Sequence, residues 1–214
     1  MKIALINGSP KCKESASGAL ISDFLACAYE KCDCVEIKMN KPKLTDDVIG
    51  TLAECEAWVF LYPLYVDGVP GHLLSCLKEL ETLKESFGER YIYAVSNCGF
   101  YDGRQCEWSL DIIKHWARRC GFIFGGGNGV GGGGALTTLL NMKPGAKPKS
   151  QIDKGLNFLL ERILEENIFE NFLDIKRVGI GSENCRKYKT AIKYKSPYFT
   201  DNSTTITKIR RFLI

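Results

Sequence analysis

Short apolar segments alternate with longer amphipathic segments along this chain, and the pattern predicts strands alternating with helices. The predicted strands cover residues 2–6, 35–39, 57–62 and 91–96, with a fifth beginning at 122–124. Apolar positions at helical spacing predict helices at 17–31, from a Thr45 N-cap to about Cys55, at 71–87, at 105–120 and at about 150–167. The third strand, AWVFLY, is apolar throughout, which is typical of a strand covered on both faces.

This order of elements predicts an α/β fold. Strands and helices alternating at this spacing form βαβ units with right-handed crossovers, and five such strands suit a three-layer, doubly wound, five-stranded parallel sheet. In this architecture ligands bind beyond the carboxyl ends of the strands, where the strand order reverses. The loops after strands one, three and four are therefore the first place to look for function.

Charge and length divide the chain unevenly. A length of 214 residues suits one domain, which we place at 1–170, followed by an extension at 171–214. The net charge of +4 arises near the end of the chain, because residues 176–214 hold ten Lys or Arg and only two Asp or Glu. The basic character thus belongs to the extension and not to the main domain.

Cysteine usage predicts a reducing, cytoplasmic location. Most of the ten cysteines sit singly within helical or strand patterns, as Cys27, Cys55 and Cys76 do, which favours buried thiols over disulfides. No apolar run reaches the roughly 18 residues of a membrane span, and the first apolar run is too short for a secretory segment. The isolated Cys32-Asp-Cys34 motif and two histidines do not suggest a metal site.

The first loop, GSPKCKESAS, follows a strand directly and opens a helix. A turn of this kind directs backbone N–H groups and a helix dipole at one point, which suits a bound phosphate. Ser9, Ser15 and Ser17 add hydroxyl groups. The G-x-x-x-x-G-K-[ST] motif is absent, so a nucleoside triphosphate with Mg²⁺ is disfavoured. An ordinary strand-to-helix turn with a serine N-cap fits the same residues and remains open here.

The second and third loops combine aromatic, small and amide residues. They read YPLYVDGVPG from Tyr62 and NCGFYDGRQ from Asn97. Aromatic and apolar groups on such loops can pack on a flat ring while backbone amides bind its polar edge. The alternative interpretation of the second loop is that its tyrosines only close the end of the sheet. The alternative for the third loop is a turn with an exposed aromatic pair.

Four motifs in this order make the chain resemble a known family. GSPK…SxS after strand one, YPLYVDGVPGHL after strand three, SNCGFYDGRQ after strand four and GGGNGVGGGGAL at strand five resemble the flavodoxin-like NAD(P)H-dependent FMN reductases and oxidoreductases. The resemblance covers roughly residues 1–165 and leaves 176–214 outside. None of the four motifs is specific to this family by itself, but the four motifs in this order and context are.

The resemblance implies the following cofactor contacts. The FMN phosphate would be held by Ser9, Lys11, Ser15 and Ser17. The isoalloxazine would be bordered by Pro63, Leu64, Tyr65, Val66, Asp67 and Gly68, and its other edge by Asn97, Cys98, Gly99 and Phe100. Ala16 departs from the family, where a polar residue is frequent. No acid–base pair is implied, because the flavin carries the redox chemistry.

Three other signals receive a structural interpretation. The run from Gly127 to Gly132 contains G-x-G-x-x-G, and Asp153 follows about twenty residues later, as in a dinucleotide-binding motif. The glycines are too numerous to be selective, and no helix begins directly after them. We therefore predict a flexible turn at the sheet edge and no dinucleotide site. Cys98 is interpreted as a small neutral side chain near the ring. His72 follows Pro70-Gly71 and could face the site, but we favour a position on the helix surface.

The extension mixes basic and aromatic residues, which admits three interpretations. Nucleic acid binding is the least favoured. An arm that crosses to a second subunit is supported by β-branched residues from Thr204 onward and by the apolar end Phe212-Leu213-Ile214. A solvated extension packed on its own domain is the third.

The predicted function is an FMN-dependent oxidoreductase that accepts electrons from NADH or NADPH. It would pass them to a small molecule such as a quinone, a nitro or azo compound, or a flavin, and by analogy with the family it would be a homodimer or larger. The alternatives are a flavodoxin-type electron carrier without its own substrate, and a scaffold that keeps the fold without flavin. The sequence does not identify the acceptor or the preferred nicotinamide.

Overall fold

The computed structural model describes residues 1–139 and 149–165, together with the backbone of 176–179. It contains a parallel sheet of six strands in the order β2-β1-β3-β4-β5-β6. The strands are β1 Lys2–Asn7, β2 Asp33–Lys38, β3 Ala57–Pro63, β4 Tyr91–Asn97, β5 Ile123–Gly131 and β6 Lys176–Gly179. The helices are α1 Ala16–Ala28, α2 Asp46–Ala53, α3 Gly71–Thr82, α4 Glu107–Arg119, α5 Gly133–Leu136 and α6 Ser150–Leu164, with 3₁₀ turns at Lys84–Ser86, Gly103–Cys106 and Thr137–Leu139.

The predicted three-layer, doubly wound architecture is confirmed, and its first five strands follow the flavodoxin-like order. Alternation along β1 explains the layers, because successive side chains point to opposite faces of a strand. Ile3 and Leu5 pack with α1 and α6, whereas Ala4 and Ile6 pack with α2, α3 and α4. Both faces of the sheet are therefore covered, which explains why β3 is apolar along its length.

The prediction of a flexible turn in the glycine run is wrong. Residues Gly125 to Gly131 continue β5, and they are buried. Two of the glycines are there because the segment 101–103, at the start of the 3₁₀ turn Gly103–Cys106, packs directly on the strand backbone. A Cβ built on Gly129 would lie 2.1 Å from the carbonyl oxygen of Gly103, and one on Gly131 would lie equally close to that of Tyr101. Close backbone approach, and not flexibility, accounts for Gly129 and Gly131.

A sixth strand, which the sequence pattern did not predict, comes from the basic extension. The backbone of β6 pairs in parallel with β5, with Asn128 opposite Lys176 and Gly131 opposite Gly179. The residues that suggested a crossing arm, from Thr204 to Ile214, lie outside the described residues. The division into 1–170 and 171–214 stays a prediction.

The described cysteines are free thiols, and most of them are buried. Cys32 and Cys34 lie at the start of β2 with their sulfur atoms 3.8 Å apart. In the described part of the chain no three potential metal-ligating side chains come together. Among the described helices, none has both the length and the apolar character needed to cross a bilayer.

Candidate functional site

The loops after β1, β3 and β4 meet at the carboxyl edge of the sheet, as predicted. Leu64 N–H donates to the carbonyl of Asn97 at 2.7 Å, which joins the second loop to the third. The Asn97 side chain donates to the Tyr62 carbonyl at 3.0 Å and to the Ser17 hydroxyl at 3.1 Å. A single buried amide therefore ties all three loops together.

The first loop is shaped by its own polar side chains. The Asn7 side-chain oxygen accepts from Ser9 N–H at 3.2 Å, and the Ser9 hydroxyl accepts from Lys11 N–H at 3.3 Å. Ser15 is the N-cap of α1, where its hydroxyl accepts from Gly18 N–H at 3.0 Å. Both hydroxyl oxygens act as acceptors in these bonds, so each keeps its O–H as a donor for another group.

A cavity of about 270 Å³ opens beside this loop. Among the residues predicted to hold phosphate, Ser9, Lys11 and Ser15 line it. Lysines, hydroxyl groups and the N-terminus of a helix together suit an anionic ligand. The geometry thus brings three of the four predicted phosphate residues to one cavity.

Ser17 occupies a different position. Its side chain is 1% exposed and accepts a hydrogen bond from Asn97 beneath the loop, and it does not line the cavity. The structure gives Ser17 a role in joining α1 to β4. Its contact with a phosphate stays a prediction.

The second loop ends in a tight hairpin turn. Tyr65 and Gly68 exchange backbone hydrogen bonds at 3.1 and 3.0 Å, and the two residues between them both have left-handed backbone angles, with φ of 47° at Val66 and 55° at Asp67. Two positive φ values are typical of a type I′ turn, which normally selects Asn or Gly. Val66 is fully exposed and Tyr65 is 45% exposed, while Pro63 and Leu64 are half-buried.

The third loop buries its thiol and exposes its aromatic rings. Cys98 is 4% exposed, and its sulfur lies 3.8 and 3.7 Å from the carbonyl oxygens of Phe100 and Asp102. Phe100 is 61% exposed and Gly99 is also exposed. Burial raises the pKa of the nearby Cys106 thiol to about 12. The Cys98 sulfur is thus buried against its own loop, and the position of Cys98 beside a flavin ring stays a prediction.

His72 does not lie free on a helix surface, which was the position favoured from the sequence. His72 is half-buried, and its Nε2 lies 3.1 Å from the carbonyl oxygen of Gly8. Because a carbonyl only accepts, Nε2 carries the proton in this bond. The first turn of α3 therefore holds the start of the first loop, a contact between residues too far apart in sequence for any local pattern to reveal.

Sequence reasoning also missed the cavity residues Asn7, Lys13, Lys38 and Asn40. Lys38 could have been found, because it lies next to the carboxyl end of the predicted strand 35–39 and the carboxyl ends of neighbouring parallel strands meet at one edge. Asn7 could have been found as an Asx turn, because it precedes a glycine directly after a strand.

Comparisons with known proteins show the fold. No family model matches the chain, and no curated protein matches it. Among solved structures, RosB with bound 8-demethyl-8-formylriboflavin-5′-phosphate is 10% identical with a TM-score of 0.58, over 79% of this chain and 82% of that one. An NADPH-quinone reductase from P. pentosaceus is 12% identical with a TM-score of 0.54, over 74% and 97%. The Trp repressor binding protein from Bacillus subtilis is 16% identical with a TM-score of 0.51, over 66% and 99%.

Proposed function

We propose that this protein is an FMN-dependent oxidoreductase that takes electrons from NADH or NADPH and passes them to a small acceptor. The observation that carries the proposal is the position of the polar cavity beside the first loop. It lies at the same sheet edge as the second and third loops, which expose Tyr65 and Phe100 there. A phosphate held in the cavity and a ring packed on the second and third loops would then lie at the sheet edge where doubly wound folds bind ligands.

The residues at this edge fit FMN. Ser9, Lys11 and Ser15 would hold the phosphate, with O–H donors and a cation around a helix N-terminus. Apolar and backbone groups of the second and third loops would border the ring. The flavin, when bound, supplies hydride and electron transfer, and the chain binds, orients and shields it.

The chain's own contribution is positioning. Asn97 and His72 fix the three loops relative to each other through buried or half-buried hydrogen bonds. The exposed rings of Tyr65 and Phe100 would exclude water from one side of a flat ligand. We assign no acid–base residue.

Known structures support the proposal by analogy. The NADPH-quinone reductase shares this fold, and RosB binds a riboflavin 5′-phosphate derivative on it. Sequence identities of 10 and 12% indicate a shared fold but do not identify the electron acceptor. Quinones, nitro and azo compounds and flavins are therefore all acceptors to be tried.

The direct test is to purify the protein, record its visible spectrum and identify the released cofactor. We expect flavin absorption bands and FMN as the released compound. Steady-state oxidation of NADH and NADPH is then measured with menadione and with ferricyanide. Bound FMN without turnover would favour the electron carrier, and a colourless protein that cannot be reconstituted with FMN would contradict the proposal.

A second test addresses the phosphate loop. Ser9→Ala with Ser15→Ala should weaken FMN binding by about 1 kcal/mol or more for each lost charge-assisted bond. Ser15→Asp keeps the N-cap acceptor but places a carboxylate beside the anion, so it should also weaken FMN binding. Ser75→Ala, which removes an exposed hydroxyl of α3, is the matched control. Unchanged FMN affinity in both loop variants would show that this loop is not the phosphate site.

A homodimer and a cytoplasmic location remain part of this proposal. The first rests on the family resemblance and the second on the predominance of single thiols in the sequence. Light scattering coupled to size exclusion measures the mass in solution, and a monomer under conditions of full activity would contradict the dimer.

A further inference from the structure

The far wall of the cavity is strand β2, which the family resemblance does not involve in cofactor binding. β2 lies beside β1 in parallel register, with Leu5 opposite Glu36 and Asn7 opposite Lys38. Ile3 and Leu5 face α1, so alternation places Asn7 on that face too, together with its partner Lys38. The end of β2 therefore presents an ammonium group beside the residue that starts the first loop.

Three lysines surround the cavity from two separate chain segments. Lys11 and Lys13 come from the first loop, and Lys38 comes from β2. The acidic residues on the lining are Glu14 and Glu36. Glu36 accepts a hydrogen bond from the Asn7 side chain at 3.4 Å, which directs one of its oxygens toward β1. The balance of charge on the lining is positive.

The cavity has room for more than a bare phosphate group. A volume of 270 Å³ corresponds to about nine water molecules at their liquid volume. A phosphate together with bridging water fits this space. Lys38 is exposed and flexible, so it can act as a point charge across the cavity without direct contact.

We propose that Lys38 is a specificity-determining residue that favours a phosphorylated flavin over riboflavin. It supplies a cation from β2 to the phosphate that the first loop holds. This inference rests on the proposed function, because it presumes that the ligand in the cavity is the cofactor's phosphate. Glu36, on the same face of the same strand, has the opposite effect.

The test is a comparison of FMN and riboflavin dissociation constants at low and high salt. The variants are Lys38→Gln, Glu36→Gln and, as a matched control, Lys43→Gln, which removes an exposed lysine that does not line the cavity. We expect Lys38→Gln to weaken FMN binding about two- to fivefold at low salt, the range of an exposed charge pair. Riboflavin binding should not change, and the effect should shrink at high salt. Glu36→Gln should tighten FMN binding, and Lys43→Gln should leave it unchanged.

Two failures are distinguishable. If the wild-type protein binds FMN but Lys38→Gln leaves the ratio of FMN to riboflavin affinity unchanged, the role of Lys38 is wrong and the proposed function stands. The same conclusion follows if Lys43→Gln lowers the ratio as much as Lys38→Gln does. If the wild-type protein binds neither flavin, the proposed function fails and this inference fails with it. Thermal unfolding of each variant establishes that it is folded.

Discussion

Replacing Lys149 by methionine would leave a buried carboxylate without its cationic partner. Lys149 precedes α6, and its ammonium group contacts Asp23 of α1 at 2.5 Å, with side chains that are 2% and 8% exposed. Removing one partner of a buried ion pair costs about 3–5 kcal/mol, because the remaining charge stays desolvated. The pair joins α6 to α1, the helix that begins at the end of the first loop.

The pH dependence follows from the pKa of Asp23. Burial raises this pKa above its ordinary value of 3.8, while Lys149 opposes the rise and Asp153 adds to it. A raised pKa means that the folded state holds the proton more tightly than the unfolded chain does. The contribution of Asp23 to stability is therefore fully present below about pH 3.8 and is lost as the pH rises through the folded value.

Protonation of Asp23 sets an upper limit on the free energy of unfolding that Lys149→Met can lose. Asp23 can avoid burying an unpaired charge by binding a proton, which costs about 1.36 kcal/mol for each pH unit above 3.8. The ceiling on the loss of unfolding free energy is thus about 4 kcal/mol at pH 7 and about 2 kcal/mol at pH 5. Because the pKa of Asp23 is already raised in the wild-type protein, part of this cost is present there, and we expect losses below these values, with the loss at pH 7 larger than that at pH 5.

The assay is urea unfolding followed by circular dichroism at both pH values. Lys154→Met is the matched control, because Lys154 is an exposed lysine of the same helix, and it should change stability by less than about 0.5 kcal/mol. The double variant Asp23→Leu with Lys149→Met should recover most of the loss, because no charge remains buried. A loss in Lys149→Met no larger than that of the control, or a loss that does not shrink at pH 5, would refute the reasoning.

Three further changes test local features of the fold by the same unfolding assay. Val66→Asn should raise the free energy of unfolding by about 1 kcal/mol, because a β-branched residue is strained at positive φ. The control Val66→Ile keeps the β-branch and should leave the free energy of unfolding unchanged. An Asn variant as stable as the wild type would contradict the strain. Gly129→Ala should destabilise by about 3 kcal/mol or more, because its Cβ would overlap the Gly103 carbonyl, whereas Gly50→Ala, with open space around it, should not. Ser17→Ala should cost about 1–3 kcal/mol, because the buried Asn97 amide loses an acceptor; a near-neutral result would show that this bond is dispensable.

Local features of the chain were predictable where neighbours in sequence supply the interaction. Thr45 caps α2 as expected, because its hydroxyl accepts from Val48 N–H, three residues on. Five strands and their helices were found because burial on both faces of a sheet imposes a readable pattern. Helix α1 begins at Ala16, one residue earlier than predicted, because the N-cap is Ser15.

The glycine run shows where local patterns mislead. Its composition suggested a turn, since glycine is permissive and carries no side chain to pack. The structure needs glycine there for another reason, which is the approach of the Gly103 turn to within 2.1 Å of where the Gly129 Cβ would lie. That neighbour follows a different strand, so no window along β5 contains the signal.

The sequence by itself determined five strands and their main helices, the doubly wound architecture and the three loops that gather at one sheet edge, but not β6 or the continuation of β5 through the glycine run. It also determined the shape of the first loop, because Asn7, Ser9 and Ser15 bond to backbone groups only two or three residues away. The tertiary structure alone decided which side chains share the cavity. The register of β2 against β1 places Lys38 on the cavity lining. Ser17 instead bonds Asn97 and does not line the cavity. Such contacts depend on how whole elements pack, and a linear pattern records only what is near along the chain.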